Sequence, residues 1–431
     1  MKTKILRQLR TTNEYVSGQM LCDELGVSRT AVWKAINQLK EEGYTIEAVQ
    51  NKGYKITGYP DILTAEEIES QLNPGDTVKK VVYAPEIDST NNEAKRNAEN
   101  GAKDGTLYIT ESQTGGRGRQ WVSPSGSGIW MTLLLRPQIN PANASMLTIV
   151  AAMAVTMAIR RAVAETGADV ECHIKWPNDV VINKKKICGI LTEMSAELDC
   201  IHYVVIGIGI NVNTTEFADE IKETASSLFV ETGKNIKRSR IVALFAEELT
   251  KYYQKFLNTG DLSGLVQDYN EMLINAGRQV RICDTKEEFT GVAAGIDSHG
   301  ELLVTKEDGT QAVISAGEVS VRGLYGYVYV VLCASSAYEK KFYLNEAFDK
   351  LPEDIKNELK IMCVLFTEEV GGILTLEFDE NGTLLFKTEA DENDLLYDDI
   401  ACGMLIKKLQ YEKRDLLESM EMFYRVFFLG E

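Results

Sequence analysis

Apolar residues in the first sixty positions follow a helical period twice and then alternate along two short runs. Each helical run, 19–25 and 29–42, has its apolar residues on one side only. Gly26 allows a turn between the two runs, and Ser28 is a residue type that caps a helix N-terminus. The alternating residues of 44–57 predict a β-hairpin. This order of elements predicts a winged helix-turn-helix.

The outward side of the second predicted helix carries polar and basic residues around one tryptophan. Such side chains donate hydrogen bonds to phosphates and to base edges of DNA. Residues 1–60 hold nine Lys or Arg against six Asp or Glu, although the whole chain has a formal net charge of −18. We therefore predict DNA binding, with a packing module whose charges are solvated as the alternative. The predicted contact residues are Ser28, Arg29, Thr30, Trp33, Lys34, Asn37 and, at the hairpin tip, Lys52.

Beyond this module the pattern changes to helices alternating with strands. Thr64 and Glu67 have the spacing of a capping box, which predicts a short connecting helix, and a turn beginning at Asn73 ends it. The apolar run 146–159 is too short to span a bilayer and predicts a buried helix. Short alternating runs between 279 and 322 predict a small all-β unit.

The last quarter of the chain differs in charge from the rest. Residues 326–431 hold 22 acidic against 11 basic residues, and their pattern predicts an α+β domain. We expect a strand over 327–334, a helix over 352–362, a hairpin around 379–382 and a long final helix. We interpret the carboxylates as a solvated face. The apolar side of the final helix would carry Leu416, Met420, Phe423 and Phe427.

The amino-acid composition is typical of a globular protein with several domains. With 431 residues, 44% hydrophobic and 26% charged, the chain is long enough for several globular domains. Its eight cysteines are scattered with no C-x-x-C pair, which fits reduced thiols in the cytoplasm better than disulfides or a zinc site. Only three histidines occur, so few residues could act as a histidine base.

Two polar segments follow predicted strands in the central region. Residues 88–91 (D-S-T-N) close an apolar run and open a helix, in which Thr90 and Glu93 again have capping-box spacing. A helix N-terminus offers N–H groups to a polar ligand. Residues 113–119 combine three glycines with two arginines, a composition that suits close approach to phosphate or carboxylate. A solvated surface loop is the alternative for this second segment.

Further along, two strand pairs carry unusual residues. Residues 175–179 (K-W-P-N-D) precede two predicted strands that are joined by a basic turn at 183–186. The predicted strand 204–212 contains Gly207 and Gly209, which a buried strand does not need for its own packing. These glycines predict close approach of a ligand or of neighbouring backbone, and a packed strand with a bulge is the alternative.

Seven motifs taken in order resemble those of one family. They are D-S-T-N, Q-T-x-G-R-G-R, W-x-S-P, K-W-P-N-D, K-x-x-G-I-L, G-I-G-I-N-x-N and, late in the chain, G-E-V-S-V-R. The series resembles the biotin protein ligases. Together with the predicted winged helix, it resembles the bifunctional ligases that also repress the biotin operon. The resemblance covers about residues 1–323.

The resemblance and the charge pattern together predict an α+β multidomain fold. In order, we expect a winged helix-turn-helix DNA-binding domain at 1–62, a connector at 63–80, a mixed-sheet biotin/lipoate ligase-like catalytic domain at 81–272, a small SH3-like β-barrel at 273–325, and an acidic α+β domain at 326–431 to which no function is assigned.

The activity that the resemblance implies has two steps. Biotin would react with MgATP to give biotinyl-5′-AMP and pyrophosphate, and a lysine of a biotin carboxyl carrier protein, as in acetyl-CoA carboxylase, would then accept the biotinyl group. Operator DNA would be the second partner, bound by a homodimer that forms in the adenylate-bound state. No membrane association is expected.

The resemblance also assigns roles to matching positions. The catalytic residues would be Lys186, Arg117, Arg119 and Asp179. The biotin-binding residues would be Ser89, Thr90, Asn91, Gln113, Arg117, Gly118, Arg119, Lys186 and Gly189. The ATP-binding residues would be Lys175, Trp176, Asn178, Asn211 and Arg322. Mg²⁺ would enter with ATP rather than bind to protein groups alone.

The chain departs from the family pattern at one place, and two other functions remain open. Family members usually carry several more residues between G-R-G-R and the tryptophan, whereas here Arg119 is followed by Gln120 and Trp121. The predicted covering loop is therefore shorter. The alternatives are a biotin-sensing DNA-binding regulator without catalysis, and a lipoate ligase, because that family shares the central fold.

Overall fold

The computed structural model describes residues 1–115, 125–197, 199–217, 221–222, 224–283, 288–306, 308–315, 318–321, 330–378, 382–390, 397 and 399–429. The chain divides into two compact units, Met1–Tyr325 and Gly326–Glu431.

The first unit begins with the predicted winged helix-turn-helix. Its helices are α1 (Lys2–Arg10), α2 (Gly18–Leu25) and α3 (Arg29–Glu41), and its antiparallel wing consists of β1 (Thr45–Val49) and β2 (Gly53–Gly58). Gly26 ends α2 in a left-handed conformation (φ 64°), and the Ser28 hydroxyl caps α3 by accepting from the Ala31 N–H. The sequence pattern did not predict α1, which buries Ile5 and Leu6 in the core of this module.

The connecting helix α4 (Ala65–Glu69) is shorter than a typical helix, and only half of its predicted capping box forms. The Thr64 hydroxyl accepts a hydrogen bond from the Glu67 N–H at 3.4 Å, as the spacing predicts. The Glu67 side chain does not return to the Thr64 backbone, because it is buried in contacts with other elements.

Glu67 joins the winged helix to the central domain, which the resemblance predicts to be catalytic and which is called the catalytic domain below. Its carboxylate accepts from the Tyr44 hydroxyl and from Arg10 of the winged helix, each at 2.5 Å, and from the Ser239 hydroxyl of the catalytic domain at 2.9 Å. Burial, assisted by the Glu67 charge, raises the pKa of Tyr44 far above its ordinary value, so this hydroxyl stays a donor. A capping-box motif in the sequence therefore marks a buried carboxylate that connects two domains.

The catalytic domain contains a seven-stranded mixed sheet. Its strands are β3 (Lys80–Ile87), β4 (Thr106–Gln113), β5 (Gly128–Leu135), β6 (Cys172–Lys175), β7 (Asp179–Ile182), β8 (Lys185–Ala196) and β9 (Ile201–Asn211), in the order β3-β4-β5-β9-β8-β7-β6. The β3–β4 pair is parallel, and the remaining pairs are antiparallel. This is the mixed sheet that the resemblance predicts.

Helices cover both faces of this sheet. The helices are α5 (Thr90–Glu99), α6 (Leu147–Ala164), α7 (Leu228–Thr232), α8 (Arg238–Thr259) and α9 (Val266–Met272), and a 3-10 helix (Pro141–Met146) precedes α6. On one face α6 and α8 form the main core with residues such as Ile206 and Ile208, whereas α5 packs on the opposite face against Val205. The segment 141–164 is long and apolar enough to cross a membrane, but 72% of its apolar window is buried inside the protein, as in the core helix of a globular domain.

A five-stranded antiparallel sheet completes the described part of the first unit. Its strands are β10 (Gln279–Cys283), β11 (Glu288–Ile296), β12 (Leu302–Lys306), β13 (Gln311–Ile314) and β14 (Glu318–Val321), in the order β13-β12-β11-β10-β14. Val280 and Val304 belong to the same hydrophobic core as the catalytic domain. The Trp176 indole N–H donates to the Gly300 carbonyl at 2.9 Å and thereby joins the two sheets.

The second unit is an α+β domain. Its antiparallel sheet has the order β16-β15-β17-β18, with β15 (Val330–Ser336), β16 (Lys341–Leu344), β17 (Ile373–Phe378) and β18 (Leu384–Glu389). A 3-10 helix (Glu346–Phe348) precedes α10 (Glu353–Val370), and α11 (Asp399–Glu412), α12 (Arg414–Tyr424) and a π-helical turn (Arg425–Leu429) follow the sheet.

Two sequence predictions for the second unit were wrong. The helix that begins after Pro352 does not end near Met362 but continues to Val370, because Phe366 and Val370 extend its buried side and Gly371 ends it. The predicted long final helix follows a separate helix, α11, and Phe427 is 69% exposed rather than aligned with the core. After Tyr424 the chain continues as a π-helical turn. Phe427 therefore no longer lies on the side of the helix that carries the buried residues of α12.

Candidate active site

Four of the predicted biotin-binding residues, Ser89, Thr90, Asn91 and Gln113, lie at one end of the parallel strand pair. Because β3 and β4 run in the same direction, both the D-S-T-N segment and Gln113 lie at their carboxyl ends. The Thr114 N–H donates to Ile87 and the Gly115 N–H to Asp88, which keeps the two segments side by side. Ser89 is buried and precedes the first residue of α5. A biotin-binding role for these residues stays a prediction.

A chain of hydrogen bonds runs from Gln113 into the protein. The Thr90 N–H donates to Gln113 Oε1 at 2.9 Å. The Thr90 hydroxyl lies 2.8 Å from that of Thr132 on β5, which is 2.6 Å from Asn91 Oδ1. Asn91 Nδ2 donates to Glu193 Oε2 of β8 at 2.8 Å. Thr132 and Glu193 thus belong to the same site as the predicted residues, although nothing in the sequence singled them out.

The predicted capping box of α5 is wrong. Thr90 is the first residue inside the helix and Ser89 precedes it, with no side-chain cap. The Thr90 hydroxyl faces Thr132 instead of the helix backbone, and the Glu93 carboxylate pairs with Arg96 at 2.6 Å. The capping-box spacing therefore predicted a helix cap for Thr90, whose hydroxyl instead contacts Thr132 in the site.

Glycines of neighbouring strands form a half-exposed floor on the same face. Gly189 of β8 pairs with Gly209 of β9, and Gly207 lies two residues before Gly209 on the same side of that strand. A Cβ atom at Gly207 would lie 2.1 Å from Asn91 Oδ1. Another group does approach Gly207 closely, but it is the Asn91 side chain and not the ligand or backbone that the sequence predicted.

We expect Gly207→Ala to weaken biotin binding more than it destabilises the fold. The new methyl group would displace the Asn91 amide, which is 5% exposed, and with it the hydrogen bonds to Thr132 and Glu193. Displacement of one buried hydrogen-bonded amide corresponds to roughly a 10- to 100-fold rise in the biotin KM. Steady-state pyrophosphate release measures this value. The control is Gly75→Ala, where a Cβ meets nothing within 4 Å; equal biotin KM values for the two variants would contradict the expectation.

A lysine and an aspartate lie at the other end of the floor. Lys186 Nζ is 2.6 Å from Asp179 Oδ1, and the two side chains are 31% and 15% exposed. A Cβ at Gly189 would be 3.2 Å from that nitrogen, so the absence of a side chain there leaves room for the ammonium group. The basic turn was predicted at 183–186. The structure forms the turn at Asn183 and Lys184, whose left-handed φ values are 48° and 68°, whereas Lys186 lies within β8.

This arrangement can bind an extended ligand that is polar at both ends. Thr132 is on β5 and Asp179 on β7, and with β9 and β8 between them their strands are roughly 14 Å apart. The Lys186 ammonium can pair with an anion, and the neighbouring carboxylate can accept a proton. The Cys188 thiol next to them is not a competing nucleophile, because burial raises its pKa well above the ordinary value.

The described members of the predicted ATP set make contacts within the protein. Trp176 is 3% exposed and its indole is bonded to Gly300, so it holds the two sheets together. Asn178 Nδ2 donates to the Ile190 carbonyl, and Asn211 Nδ2 to the Ser226 carbonyl. Lys175 pairs with Asp179 in the β6–β7 register. A nucleotide-binding role for these residues stays a prediction.

The arginine loop lies outside the described residues. This applies to the predicted Arg117, Gly118 and Arg119, and also to Arg322. The segments on either side of the loop, up to residue 115 and from residue 125, are described.

Arg238, which sequence analysis missed, contacts both of these segments through Glu111 and the Gly128 carbonyl. It is 2% exposed; its Nε donates to Asp61 Oδ2 at 3.0 Å and its Nη1 to Glu111 Oε2 at 2.6 Å. Glu111 Oε2 also accepts from the Gly126 N–H at 3.2 Å, so the segment before the loop is hydrogen-bonded to the segment after it. Burial alone would lower the pKa of Arg238, but Glu111 and Asp61 outweigh burial and raise it.

The predicted DNA-contacting residues lie at the surface of the winged helix-turn-helix. The structure exposes Trp33 to 56%, and Val32 and Ile36 of the same helix are buried. Arg29 is oriented by Gln19, whose Oε1 accepts from its Nη2 at 2.8 Å. Exposed or half-exposed on this surface are Ser28, Arg29, Thr30, Trp33, Lys34, Asn37 and, in the wing, Lys52.

One group of potential metal ligands lies away from the site. Glu197, Cys200 and His202 bring their ligand atoms within 4.8 Å of one another at the β8–β9 turn. All three are exposed, and exposed groups of this kind commonly occur without an ion.

Similarity to known proteins shows the family to which this chain belongs. Residues 2–55 match the HTH domain, residues 83–211 the biotin/lipoate A/B protein ligase family, and residues 276–322 the biotin protein ligase C-terminal domain. The bifunctional ligase/repressor BirA of Bacillus subtilis (strain 168) is 40% identical over 309 residues, which cover 70% of this chain and 93% of that relative. This chain belongs to the bifunctional biotin ligase/repressor family.

Other proteins are also similar to this biotin ligase/repressor homologue. The BirA of Escherichia coli (strain K12) is 31% identical over 318 residues, covering 73% of this chain and 95% of that relative. A structure of the biotin protein ligase from Aquifex aeolicus in complex with biotin and ATP is 29% identical, covers 57% of this chain and 99% of that one, and has a TM-score of 0.48. Residues 329–431 match a family of unknown function.

Proposed function

We propose that this protein activates biotin with ATP to form biotinyl-5′-AMP, transfers the biotinyl group to a lysine of a biotin carboxyl carrier protein, and acts as a biotin-responsive transcriptional repressor. Membership of the bifunctional family supports both activities. The structural observation that carries the proposal is one open face with the Thr90–Gln113 cluster at one end and the Lys186–Asp179 pair at the other.

The first step brings two anions together. A biotin carboxylate oxygen forms a bond to the α-phosphorus of MgATP, and the bond from that phosphorus to the pyrophosphate oxygen breaks. Repulsion between the two anions makes preorganised positive charge the main requirement. Lys186 supplies an ammonium on the floor of the site, and Arg117 and Arg119 would add guanidinium groups from the loop. Mg²⁺ enters as part of the nucleotide substrate.

The second step needs an uncharged amine. The carrier lysine attacks the acyl carbon of biotinyl-5′-AMP, the new C–N bond forms, and AMP leaves with the electron pair of the broken C–O bond. A free lysine has a pKa of about 10.4, so its proton must be removed. Asp179 lies beside Lys186 and would accept or direct that proton. Its two roles are then sequential, first orienting Lys186 and later assisting the amine.

The finer domain organisation is part of the proposal. The five-stranded sheet within 273–325 would be the SH3-like barrel that brings Arg322 to the adenine, and Lys175, Trp176, Asn178 and Asn211 would complete or support the nucleotide site. Residues 326–431 would be a separate acidic α+β domain. We place the protein in the cytoplasm, where its carrier and DNA partners would be, and propose a homodimer when the adenylate is bound.

One experiment separates the proposed activity from its alternatives. The full chain is incubated with MgATP, a biotin carboxyl carrier domain and either biotin or lipoate, and the mass of the carrier is measured. We expect one carrier lysine to gain a biotinyl group and no lipoyl transfer. Lipoyl transfer would identify a lipoate ligase, and biotin binding without pyrophosphate release would identify a sensor without catalysis.

DNA binding makes a separate prediction. Lys34→Ala should weaken binding to a DNA duplex of arbitrary sequence and lower the slope of log K against log salt by about one unit, because one phosphate contact is lost. Fluorescence anisotropy across a salt series measures both effects. Lys4→Ala is the control, since Lys4 is also exposed but belongs to α1 and is not one of the predicted contact residues; equal salt slopes for the two variants would contradict the predicted surface.

A further inference from the structure

The turn between β8 and β9 carries a glutamate, a cysteine and a histidine with the spacing E-x-x-C-x-H. Strand pairing ends where Ala196 faces Ile201, and the Glu197 N–H donates to the Cys200 carbonyl at 2.8 Å, which closes the turn. The ligand atoms of Glu197, Cys200 and His202 all lie within 4.8 Å of one another. The turn therefore brings three different metal-ligand groups to one point on the surface.

The direction of the His202 side chain is set by its strand. The neighbours Ile201 and Tyr203 are 8% and 7% exposed, so the alternation of side chains along β9 directs the imidazole outward. The His202 carbonyl accepts from Arg136 Nη1 at 2.7 Å, which holds the backbone in place. The imidazole consequently faces the turn, and its Nε2 lies 3.3 Å from Glu197 Oε1.

The three groups are those that zinc prefers in proteins. Thiolate, imidazole and carboxylate are all common zinc ligands, and a thiolate and a carboxylate together balance the charge of Zn²⁺. Exposed carboxylates by themselves are common without an ion, but here a thiol and an imidazole are added. Of the seven cysteines whose burial the structure describes, six are buried and Cys200 is exposed, so an ion can reach its thiol.

The distances fit a tetrahedral site. With zinc bonds of about 2.0–2.2 Å to nitrogen and oxygen, those two ligand atoms are about 3.4 Å apart. The observed separation between His202 Nε2 and Glu197 Oε1 is 3.3 Å, so this pair needs no movement. A sulfur about 2.3 Å from zinc lies about 3.6 Å from each of them. Cys200 Sγ is already within 4.8 Å of both, and a small side-chain rotation closes the difference.

The other two histidines of the chain provide a comparison. His173 lies 3.4 Å from Glu171, and His299 lies 3.7 Å from Asp297, so each is also paired with a carboxylate. Within the part of the chain that the structure describes, neither pair has a third ligand group as close as Cys200 is to His202. The thiol is thus the feature that distinguishes the β8–β9 turn from an ordinary surface ion pair.

We propose that Glu197, Cys200 and His202 bind one Zn²⁺ ion, with water in the fourth position, and that the ion fastens the end of the β8–β9 hairpin. The Cys200 thiol loses its proton to solvent when the zinc–sulfur bond forms. Along β8, ten positions separate Ala196 from Lys186, which corresponds to about 33 Å of extended strand. The zinc site is therefore separate from the proposed adenylation chemistry and does not depend on it.

Metal titration of the full chain tests the site. The protein, without an affinity tag, is reduced, freed of metal with a chelator and titrated with Zn²⁺ in competition with a chromophoric chelator. We expect one zinc ion per chain. Cys200→Ser and His202→Ala should each weaken zinc binding at least about tenfold, since even residues that only support a metal ligand change affinity by this much.

Cobalt identifies the sulfur ligand directly. Co²⁺ bound in place of Zn²⁺ should give a thiolate-to-cobalt charge-transfer band in the near ultraviolet, and Cys200→Ser should lose this band. Zn²⁺ should also raise the melting temperature of the wild-type protein but not that of Cys200→Ser, because only a ligand of the folded state stabilises it. All three ligands are exposed, so the metal-free variants should melt as the wild-type protein does.

The remaining histidines supply the matched controls. His173→Ala and His299→Ala each remove a histidine that is paired with a carboxylate and should leave the zinc affinity unchanged. Equal zinc affinities for the wild-type protein and Cys200→Ser would overturn the proposal. Cobalt binding without a thiolate band, or an equal loss of zinc affinity in His173→Ala and His202→Ala, would show adventitious surface binding only and would overturn it as well.

Discussion

Lys186→Ala should form biotinyl-5′-AMP at least about 100-fold more slowly than the wild-type protein, because it removes a preorganised positive charge from the step in which two anions react. The structure places this ammonium 2.6 Å from Asp179 and beside the glycine floor. Its loss also leaves the negative charge of the Asp179 carboxylate no longer balanced by Lys186, at a place where repulsion is already the obstacle. Both effects act in the same direction on kcat.

The neighbouring lysine supplies the control. Lys185 precedes Lys186 on β8, but its ammonium is on the surface and contacts the Lys222 carbonyl at 3.4 Å. Lys185→Ala should therefore keep adenylation within about threefold of wild type, as expected for a surface substitution. Rapid-quench measurement of adenylate formation at saturating biotin and MgATP distinguishes the variants. Similar rates for Lys185→Ala and Lys186→Ala would remove Lys186 from the chemistry.

Arg238→Met should lower the free energy of unfolding of the first unit by about 3–5 kcal/mol, the cost of leaving buried charges without their partner. Arg238 is 2% exposed. Its replacement would remove the ion-pair partner of Asp61 in the interdomain segment and of Glu111 in β4. Methionine keeps most of the side-chain volume, so the loss would reflect charge and hydrogen bonding rather than a cavity. Urea denaturation followed by tryptophan fluorescence measures the change.

Tryptophan fluorescence is suited to this measurement because all four tryptophans, at positions 33, 121, 130 and 176, belong to the first unit. Arg240→Met is the matched control on the same helix. Arg240 pairs with Glu165, but the two side chains are 39% and 47% exposed, and such a surface pair contributes less than about 1 kcal/mol. Equal losses for the two variants would show that the buried network does not stabilise the unit.

The sequence predicted those parts of the structure that depend on residues close together in the chain. The winged helix could be predicted because the turn at Gly26, the cap at Ser28 and the alternating wing are short-range signals. The close approach at Gly207 could also be predicted, because glycine in a buried strand needs a special reason. The identity of the approaching group, Asn91, could not, since it comes from a helix more than a hundred positions earlier.

The missed residues have long-range partners. Thr132 and Glu193 are ordinary strand residues by sequence, and only the pairing of β5, β9 and β8 brings them to Asn91. Arg238 similarly joins Asp61 and Glu111, which are 177 and 127 positions away. Capping-box spacing was misleading at Glu67 and at Thr90, because tertiary contacts took the side chains that local hydrogen bonds would have used.

Formation of the adenylate without a carrier tests the account most directly. The full chain is incubated with biotin, Mg²⁺ and ATP labelled at the α-phosphate, and the products are separated by chromatography. We predict biotin-dependent conversion of the label into biotinyl-5′-AMP, with one pyrophosphate released for each adenylate. If the folded protein binds biotin but leaves the labelled ATP unchanged, the face between Thr90 and Lys186 does not perform the chemistry assigned to it.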